Sequence, residues 1–315
     1  MLYDFIAIVC GIILLYKGGE WLCFGSVSLA EKFKVPRVVI GVTIVSFVTS
    51  APELAVVLNA NESELPILAL SNIIGSNISN IGFILGLLIL FISIPLTSNI
   101  KLLWLLMFIV SLVFSAVLFF DGNLNTVDGI LLLIIAIATI FYLIRFQHSV
   151  VGIEASQVVL IKQGYKIILY ITISGFLLWL GSEILVKGVN RLSVDLGISQ
   201  RIVGLTIVAI GTSLPELAAS VVALSKKESG ISIGNIIGSN IFNLAVVVGF
   251  AAIVSEFKIS ENYIQLFQRD ILIMLGFTII LYPLVYYTGK KLKLDRFEGL
   301  VLLSLYISYL WYIFQ

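Results

Sequence analysis

A proline–glutamate pair stands twice in this chain, 163 residues apart, and each time it lies inside an apolar run long enough to cross a bilayer. A carboxylate at that depth costs roughly 3 kcal/mol or more, so it needs a partner. The duplication reaches well beyond the pair. Gly41–Asn80 maps onto Gly204–Asn243 in constant register, and eleven of the first twenty positions are identical. Thr49, Ser50, Pro52 and Glu53 map onto Thr212, Ser213, Pro215 and Glu216. Asn72, Ser76, Asn77 and Asn80 map onto Asn235, Ser239, Asn240 and Asn243. A repeated site of this kind makes the rest of the chain its housing.

Charged residues are 12% of the chain and hydrophobic residues 60%, against about a quarter charged in a soluble domain. This is the composition of an all-α polytopic membrane protein. Ten spans are expected, at 3–28, 37–60, 66–92, 99–120, 127–146, 166–190, 200–224, 231–254, 268–288 and 297–314. The first run lacks a basic leader and a small-residue cleavage site, so it reads as a membrane helix and not a signal peptide. Cys10 and Cys23, on one helix and roughly 20 Å apart, cannot bridge and read as inert core residues. The net charge of +1 argues against a nucleic-acid partner.

The connections carrying Lys32, Lys34, Arg37; Lys101; Arg145, Lys162, Lys166; Lys226, Lys227; and Lys290, Lys291, Lys293, Arg296 fall on one side, with 13 of the 19 basic residues. That side is expected to be cytoplasmic, with both termini outside the cell membrane. Five spans per half make the second half enter the membrane in the opposite sense. The expected organisation is therefore a first repeat over 1–146, a central cytoplasmic loop over 147–165 and an inverted second repeat over 166–315, a plan common in transporters. The acidic connection Asn61–Glu64 and its basic counterpart, Lys226 and Lys227, agree with two copies on opposite sides. Gly11, Gly18 and Gly25 recur every seven residues, and Gly181 and Gly188 echo them. Such a face suits either tight static packing or sliding of a long helix.

No lysine or arginine lies at the depth of Glu53 and Glu216 in spans 2, 3, 7 or 8, and Lys17 in span 1 has a nearer partner in Glu20. A bound cation is the simplest partner; the alternative, a protonated glutamic acid, has to arise twice in the same setting. Pro52 and Pro215 are expected to free carbonyls near Ser46–Thr49 and Ala209–Thr212, and freed carbonyls lining a cavity coordinate cations. Thr49, Ser50, Thr212 and Ser213 add oxygens. Ser76 and Asn80 share a helix face, as do Ser239 and Asn243, while Asn77 and Asn240 point away and suit interhelical hydrogen bonds. Gly75 and Gly238 permit close helix approach. Two carboxylates among hydroxyl, amide and carbonyl oxygens suit Ca²⁺, with Na⁺ as competitor. His148 falls in the central loop and takes no part.

GTSLPE at Gly211–Glu216, VTSAPE at Val48–Glu53, and GSN-I-x-N at Gly75–Asn80 and Gly238–Asn243 resemble the repeats of the cation/Ca²⁺ exchanger superfamily, above all its prokaryotic Na⁺/Ca²⁺ exchangers. The resemblance spans essentially the whole chain. It implies a Ca²⁺ site using Glu53 and Glu216 with the carbonyls of Thr49 and Thr212. It also implies sodium sites drawing on Ser50, Ser76, Ser213, Ser239 and carbonyls near Ser46 and Ala209, with Asn80 and Asn243 lining the middle. Two long helices, spans 1 and 6, are implied to slide across the other eight. Val48 departs from the usual glycine and Ser71 from its counterpart Gly234; Val48 is expected to stiffen or narrow the first half of the site. Asparagine at both middle positions argues against K⁺ co-transport.

The function expected is antiport of Ca²⁺ against Na⁺ by alternating access, carried out by a monomer in the lipid bilayer without a cofactor. An H⁺/Ca²⁺ antiporter is the alternative, and a cation channel is the reading from another class. An enzyme is not expected, because no metal-hydrolase motif or nucleophile pair accompanies the carboxylates.

Overall fold

The computed structural model describes residues 2–62, 66–95, 100–121, 123–146, 158–195, 209–258, 261–288 and 293–314. The helices are α1 (Leu2–Phe33), α2 (Arg37–Thr49), α3 (Ala51–Glu62), α4 (Pro66–Phe91), α5 (Ile100–Asp121), α6 (Thr126–Phe146), α7 (Gly164–Asp195), α8 (Ala209–Thr212), α9 (Leu214–Ser225), α10 (Ser229–Val254), α11 (Glu261–Thr288) and α12 (Arg296–Phe314). Four two-residue strands lie in the connections: β1 (Ile94–Pro95), β2 (Asn123–Leu124), β3 (Phe257–Lys258) and β4 (Lys293–Leu294). Among the described residues seven helices are long and apolar enough to cross a bilayer, and the broken pair α2–α3 makes an eighth. The protein is a multi-pass membrane protein. Where described, the expected spans are helical apart from breaks at Ser50 and Ser213 and the terminal Ile92; residue 99 of the fourth span, residues 200–208 of the seventh, and His148 lie outside the described residues.

The chain forms two compact units, Met1–Pro52 with Val150–Asn235, and Glu53–Ser149 with Ile236–Gln315. Each unit draws on both sequence halves. In the first unit α1 and α7 are each 32 residues long. At 1.5 Å per residue each is roughly 48 Å, so each has to tilt in a core of about 30 Å. They pack on each other. A Cβ at Gly11 would lie 2.8 Å from the Gly181 carbonyl, one at Gly18 2.9 Å from Leu178 Cγ, and one at Gly188 3.0 Å from the Asp4 carbonyl. The glycine stripes therefore face one another and clamp the two long helices together, which is the static-packing alternative. Gly19, one residue off the stripe, is what meets α9, with its added Cβ 2.9 Å from the Ala218 carbonyl. The core beside this seam contains Leu22, Cys23, Val27, Val45, Val222 and Ala223. Cys23 is buried as expected, whereas Cys10 is exposed and does not belong to the core.

Ion pairs are spread along the same unit. Lys17 and Glu20 pair at 3.0 Å, as do Glu183 and Lys187 at 2.7 Å, and Lys226 adds a second contact to Glu20 at 3.2 Å. Arg37 bonds both oxygens of Glu228 at 3.2 Å and Glu31 at 2.7 Å. Helices α1 and α9 each end in a left-handed residue, Lys34 (φ 54°) and Lys227 (φ 63°), followed by a bond back over five residues, Val35 N–H to Ala30 O and Glu228 N–H to Ala223 O. Glycine is the usual residue there because it has no Cβ to clash. Lys227→Gly is therefore expected to stabilise the protein by about 0.5–1 kcal/mol, read as a higher melting temperature of the solubilised protein.

In the second unit the two halves exchange elements. β1 pairs antiparallel with β4, and β2 with β3. A Cβ at Gly129 on α6 would lie 2.6 Å from the Gly249 carbonyl on α10, and one at Gly299 on α12 would lie 2.8 Å from the Gly86 carbonyl on α4. Gly86 and Gly249 are 163 apart, so each half's final helix rests on the equivalent point of the other half's third span. The same capping arrangement starts both final helices: the Asn125 and Asp295 backbone N–H groups donate to Asp128 and Glu298, at 3.0 and 2.8 Å.

Candidate functional site

The duplicated Thr-Ser-x-Pro-Glu stretch breaks its helix in the same way in both copies. Ser50 separates α2 from α3 with φ −85° and ψ 4°, and Ser213 separates α8 from α9 with φ −89° and ψ 5°. The prolines two residues on have no N–H for the carbonyl four positions back, so the ladder lapses at Val48 and Gly211. The Gly211 carbonyl accepts the Ser182 hydroxyl of α7 at 2.6 Å instead. Ser46 lies further back, and its carbonyl is not freed. It keeps the Ser50 N–H at 2.9 Å and also accepts the Thr49 hydroxyl at 3.4 Å, because Ser50, unlike Pro52, has an N–H to give.

In the first unit Glu216 is fully buried, and its Oε1 accepts the Ser50 hydroxyl at 3.3 Å. Ser46, Thr49, Ser50 and Ser213 are buried with it. Thr212 is half-buried, and Ala209 opens α8. The Thr49 hydroxyl donates to Asn235 Oδ1 at 3.1 Å, which leaves Thr49 its carbonyl as the group to offer an ion. Ser213 Oγ has no hydrogen-bond partner among the described residues.

In the second unit Glu53, Ser76, Asn80, Ser239 and Asn243 are all buried. Asn80 and Asn243 share an environment that their sequence positions alone do not disclose. Each sits in a π turn, Asn80–Leu85 in α4 and Phe242–Val247 in α10, and such one-turn expansions favour functional sites. Asn80 is 1% and Asn243 0% exposed, yet neither atom of either amide has a hydrogen-bond partner among the described residues. A buried polar group left in that condition costs about 1–3 kcal/mol, so two whole amides held this way suit a transient charged guest. Asn77 reaches across to α11, its Nδ2 4.0 Å from Met274 Sδ, as expected of an interhelical residue. Asn240 instead bonds Ile236 O of its own helix at 2.7 Å, because a carbonyl one turn back is within its reach. Gly75 meets no close neighbour among the described residues, so it is not a crossing point.

The two departures from repeat symmetry have local causes. Val48 turns outward to α7, where an added Cβ at Gly175 would lie 3.0 Å from Val48 Cγ1. At Gly211 an added Cβ would lie 2.5 Å from Val186 Cγ2. The valine and glycine thus swap between α7 and the broken helix, and Val48 is not pushed inward. Gly234 is dictated by α2: an added Cβ would lie 2.6 Å from the Val38 carbonyl and 2.9 Å from Gly41 Cα. Ser71 is exposed and meets no such limit.

Comparison with known proteins places these features in a family. The family model for sodium/calcium exchanger protein matches residues 3–145 and 166–315. The inner membrane protein YrbG of Escherichia coli is 34% identical over 289 residues, 87% of this chain and 86% of its own length. The sodium/calcium exchanger MaX1 of Methanosarcina acetivorans is 27% identical over 358 residues, covering 98% of this chain and 97% of its own. The solved structure of the sodium–calcium exchanger NCX_Mj, soaked without Na⁺ and Ca²⁺, superposes with a TM-score of 0.82 at 26% identity and covers 99% of both chains.

Proposed function

The chain belongs to the sodium/calcium exchanger protein family, and on that premise we propose that it exchanges Ca²⁺ for Na⁺ across the cell membrane by alternating access. The observation that carries the proposal is the repeat-related pair Asn80 and Asn243, each within a π turn, whose buried amides have no hydrogen-bond partner among the described residues. Glu53 and Glu216 supply the charge, and the Thr49 and Thr212 carbonyls complete the Ca²⁺ ligands. Ser50, Ser76, Ser213 and Ser239 serve Na⁺, with Ser46, Ala209, Asn80 and Asn243 lining the site. One Ca²⁺, or Na⁺ ions at overlapping positions, neutralises the two carboxylates. A loaded site crosses between the two faces more easily than one with two bare buried charges. Competition for shared ligands gives exchange.

Ten spans in two inverted halves, 1–146 and 166–315 joined by the 147–165 loop, complete the proposal. Its support is the strand exchange. If connections alternate between faces, β1 and β4 share one face, and β2 and β3 the other. β1 and β3 are equivalent by the 163-residue offset, so equivalent connections then lie on opposite faces, as inversion requires. Lys101 and Lys293 fall on the first face and Lys258 on the second, in keeping with the first as cytoplasmic and both termini outside.

Proteoliposomes loaded with Na⁺, H⁺ or K⁺ and offered ⁴⁵Ca²⁺ test the function. An outward Na⁺ gradient is expected to drive saturable, electrogenic uptake, with H⁺ or K⁺ gradients inactive. Uptake driven by H⁺ and indifferent to Na⁺ replaces this function with H⁺/Ca²⁺ antiport, and flux that needs no counter-ion replaces it with a channel.

A further inference from the structure

We infer that Asn235 is a positioning residue of the ion site, one that holds the Thr49 end of α2 against the Glu216 end of α9 and thereby favours Ca²⁺ over Na⁺; the ion identities rest on the function proposed above.

Asn235 is fully buried on α10, and each of its hydrogen-bonding groups on the side chain is engaged. Its Oδ1 accepts the Thr49 hydroxyl at 3.1 Å, and its Nδ2 donates to the Glu216 carbonyl at 3.2 Å and to Ser220 Oγ at 3.0 Å. Its backbone carbonyl shares the Ser46 hydroxyl proton with Gly41 O, at 3.0 and 2.9 Å. These bonds join two helices at the places where their own ladders are interrupted, Ser50 and Ser213. A proline-broken turn has lost the backbone bond that otherwise fixes its neighbours. A direct link between the two ends is the 3.3 Å bond from Ser50 to Glu216, and that bond uses a ligand oxygen. Asn235 supplies a link that uses none.

The side chain has to be an amide. It gives two N–H donors and one acceptor, at a reach that serves both helices at once. Aspartate keeps the acceptor for Thr49 but loses both donors, and it adds a negative charge beside Glu216. Alanine leaves the Thr49 hydroxyl with the 3.4 Å acceptor on its own helix, Ser46 O, and lets the two broken ends move apart.

Ca²⁺ affinity depends on the rigidity of its oxygen cage as well as its charge. A divalent ion gains about twice the Coulomb energy of a monovalent ion from each oxygen, so a loosened ligand set weakens Ca²⁺ more than Na⁺. Groups that orient metal ligands without touching the metal typically contribute 10–100-fold in affinity.

The test is ion-induced thermal stabilisation of the purified full chain in detergent, titrated with Ca²⁺ alone and with Na⁺ alone. For Asn235→Ala the Ca²⁺ midpoint is expected to rise about 10-fold, and the Na⁺ midpoint by less than about threefold. Thr49→Val keeps the carbonyl and removes the hydroxyl that Asn235 accepts. It is expected to shift the Ca²⁺ midpoint the same way, by about threefold, and the double variant to add little to Asn235→Ala. Should Asn235→Ala fail to fold, Thr49→Val and Ser220→Ala carry the test by themselves. An unchanged Ca²⁺ midpoint, equal changes for the two ions, or fully additive effects overturns the inference. A wild type that Ca²⁺ does not stabilise overturns it as well. Proteoliposome uptake by the wild type is read separately: Ca²⁺ stabilisation without Na⁺-driven uptake removes the exchange function and leaves the role of Asn235 in the binding site standing.

Discussion

Glu216→Gln is expected to abolish Na⁺-driven Ca²⁺ uptake, and Glu53→Gln to do the same, each by at least about 100-fold at fixed Ca²⁺. Glutamine keeps the size of the side chain and an oxygen able to accept the Ser50 hydroxyl, now 3.3 Å from Glu216 Oε1, so the local packing survives. What disappears is a charge. Ca²⁺ sites are graded by the number of anionic ligands, and a site of two that loses one cannot neutralise a divalent ion. The fold should gain from the same change, because a carboxylate with no exposed surface is costly to hold in an ion-free protein. Each variant is therefore expected to melt at a higher temperature than the ion-free wild type while transporting nothing. ⁴⁵Ca²⁺ uptake into Na⁺-loaded vesicles, beside a melting curve, separates the two effects. Near-normal uptake in both single variants sinks the ligand assignment.

Gly234→Ser is expected to destabilise the protein by about 2–3 kcal/mol, although serine is what the first copy carries at the matching position, Ser71. At Gly234 the α2 backbone approaches so closely that an added Cβ would lie 2.6 Å from the Val38 carbonyl and 2.9 Å from Gly41 Cα. Neither neighbour is the end of a flexible side chain, so relief requires the two helices to separate. The reciprocal change, Ser71→Gly, removes only an exposed side chain and should cost about 0.5–1 kcal/mol through helix propensity. Melting temperatures of the two solubilised variants give the comparison. Equal losses disprove the crossing at Gly41 and Gly234 as the source of the asymmetry.

Much of the helical layout was legible because hydropathy reports burial in lipid directly. Pro66–Phe91 and Ser229–Val254 fall within two residues of the spans expected. The Lys17–Glu20 ion pair was legible because helical spacing dictates it. The π turns were not, since nothing in the residues of Asn80–Leu85 distinguishes an extra residue per turn from an ordinary one. Asn235 could be placed on the site face by its spacing from Ser239, but its bonds to Thr49 and Glu216 depend on how α10 lies against two other helices. The glycine stripes were recognised as small faces, while the surface each one meets is a tertiary fact. The second register of the duplication was also hidden. β2 and β4 are related by 170 residues and not 163, so an insertion lies between the repeated site and the final helix of the second half.

The exchange of β1 for β4 and of α6 for α12 also governs how the chain is made. Gly86 and β1 leave the ribosome with their partners not yet synthesised, because those partners lie at Gly299 and Lys293 in the later half. Residues 1–146 emerge with a vacancy on α4 and a strand edge without its mate. Each half is thus the template on which the other completes itself, and neither is a free-standing module. Residues 1–146 and 164–315 synthesised as separate polypeptides would have to meet in the same membrane before either could finish folding.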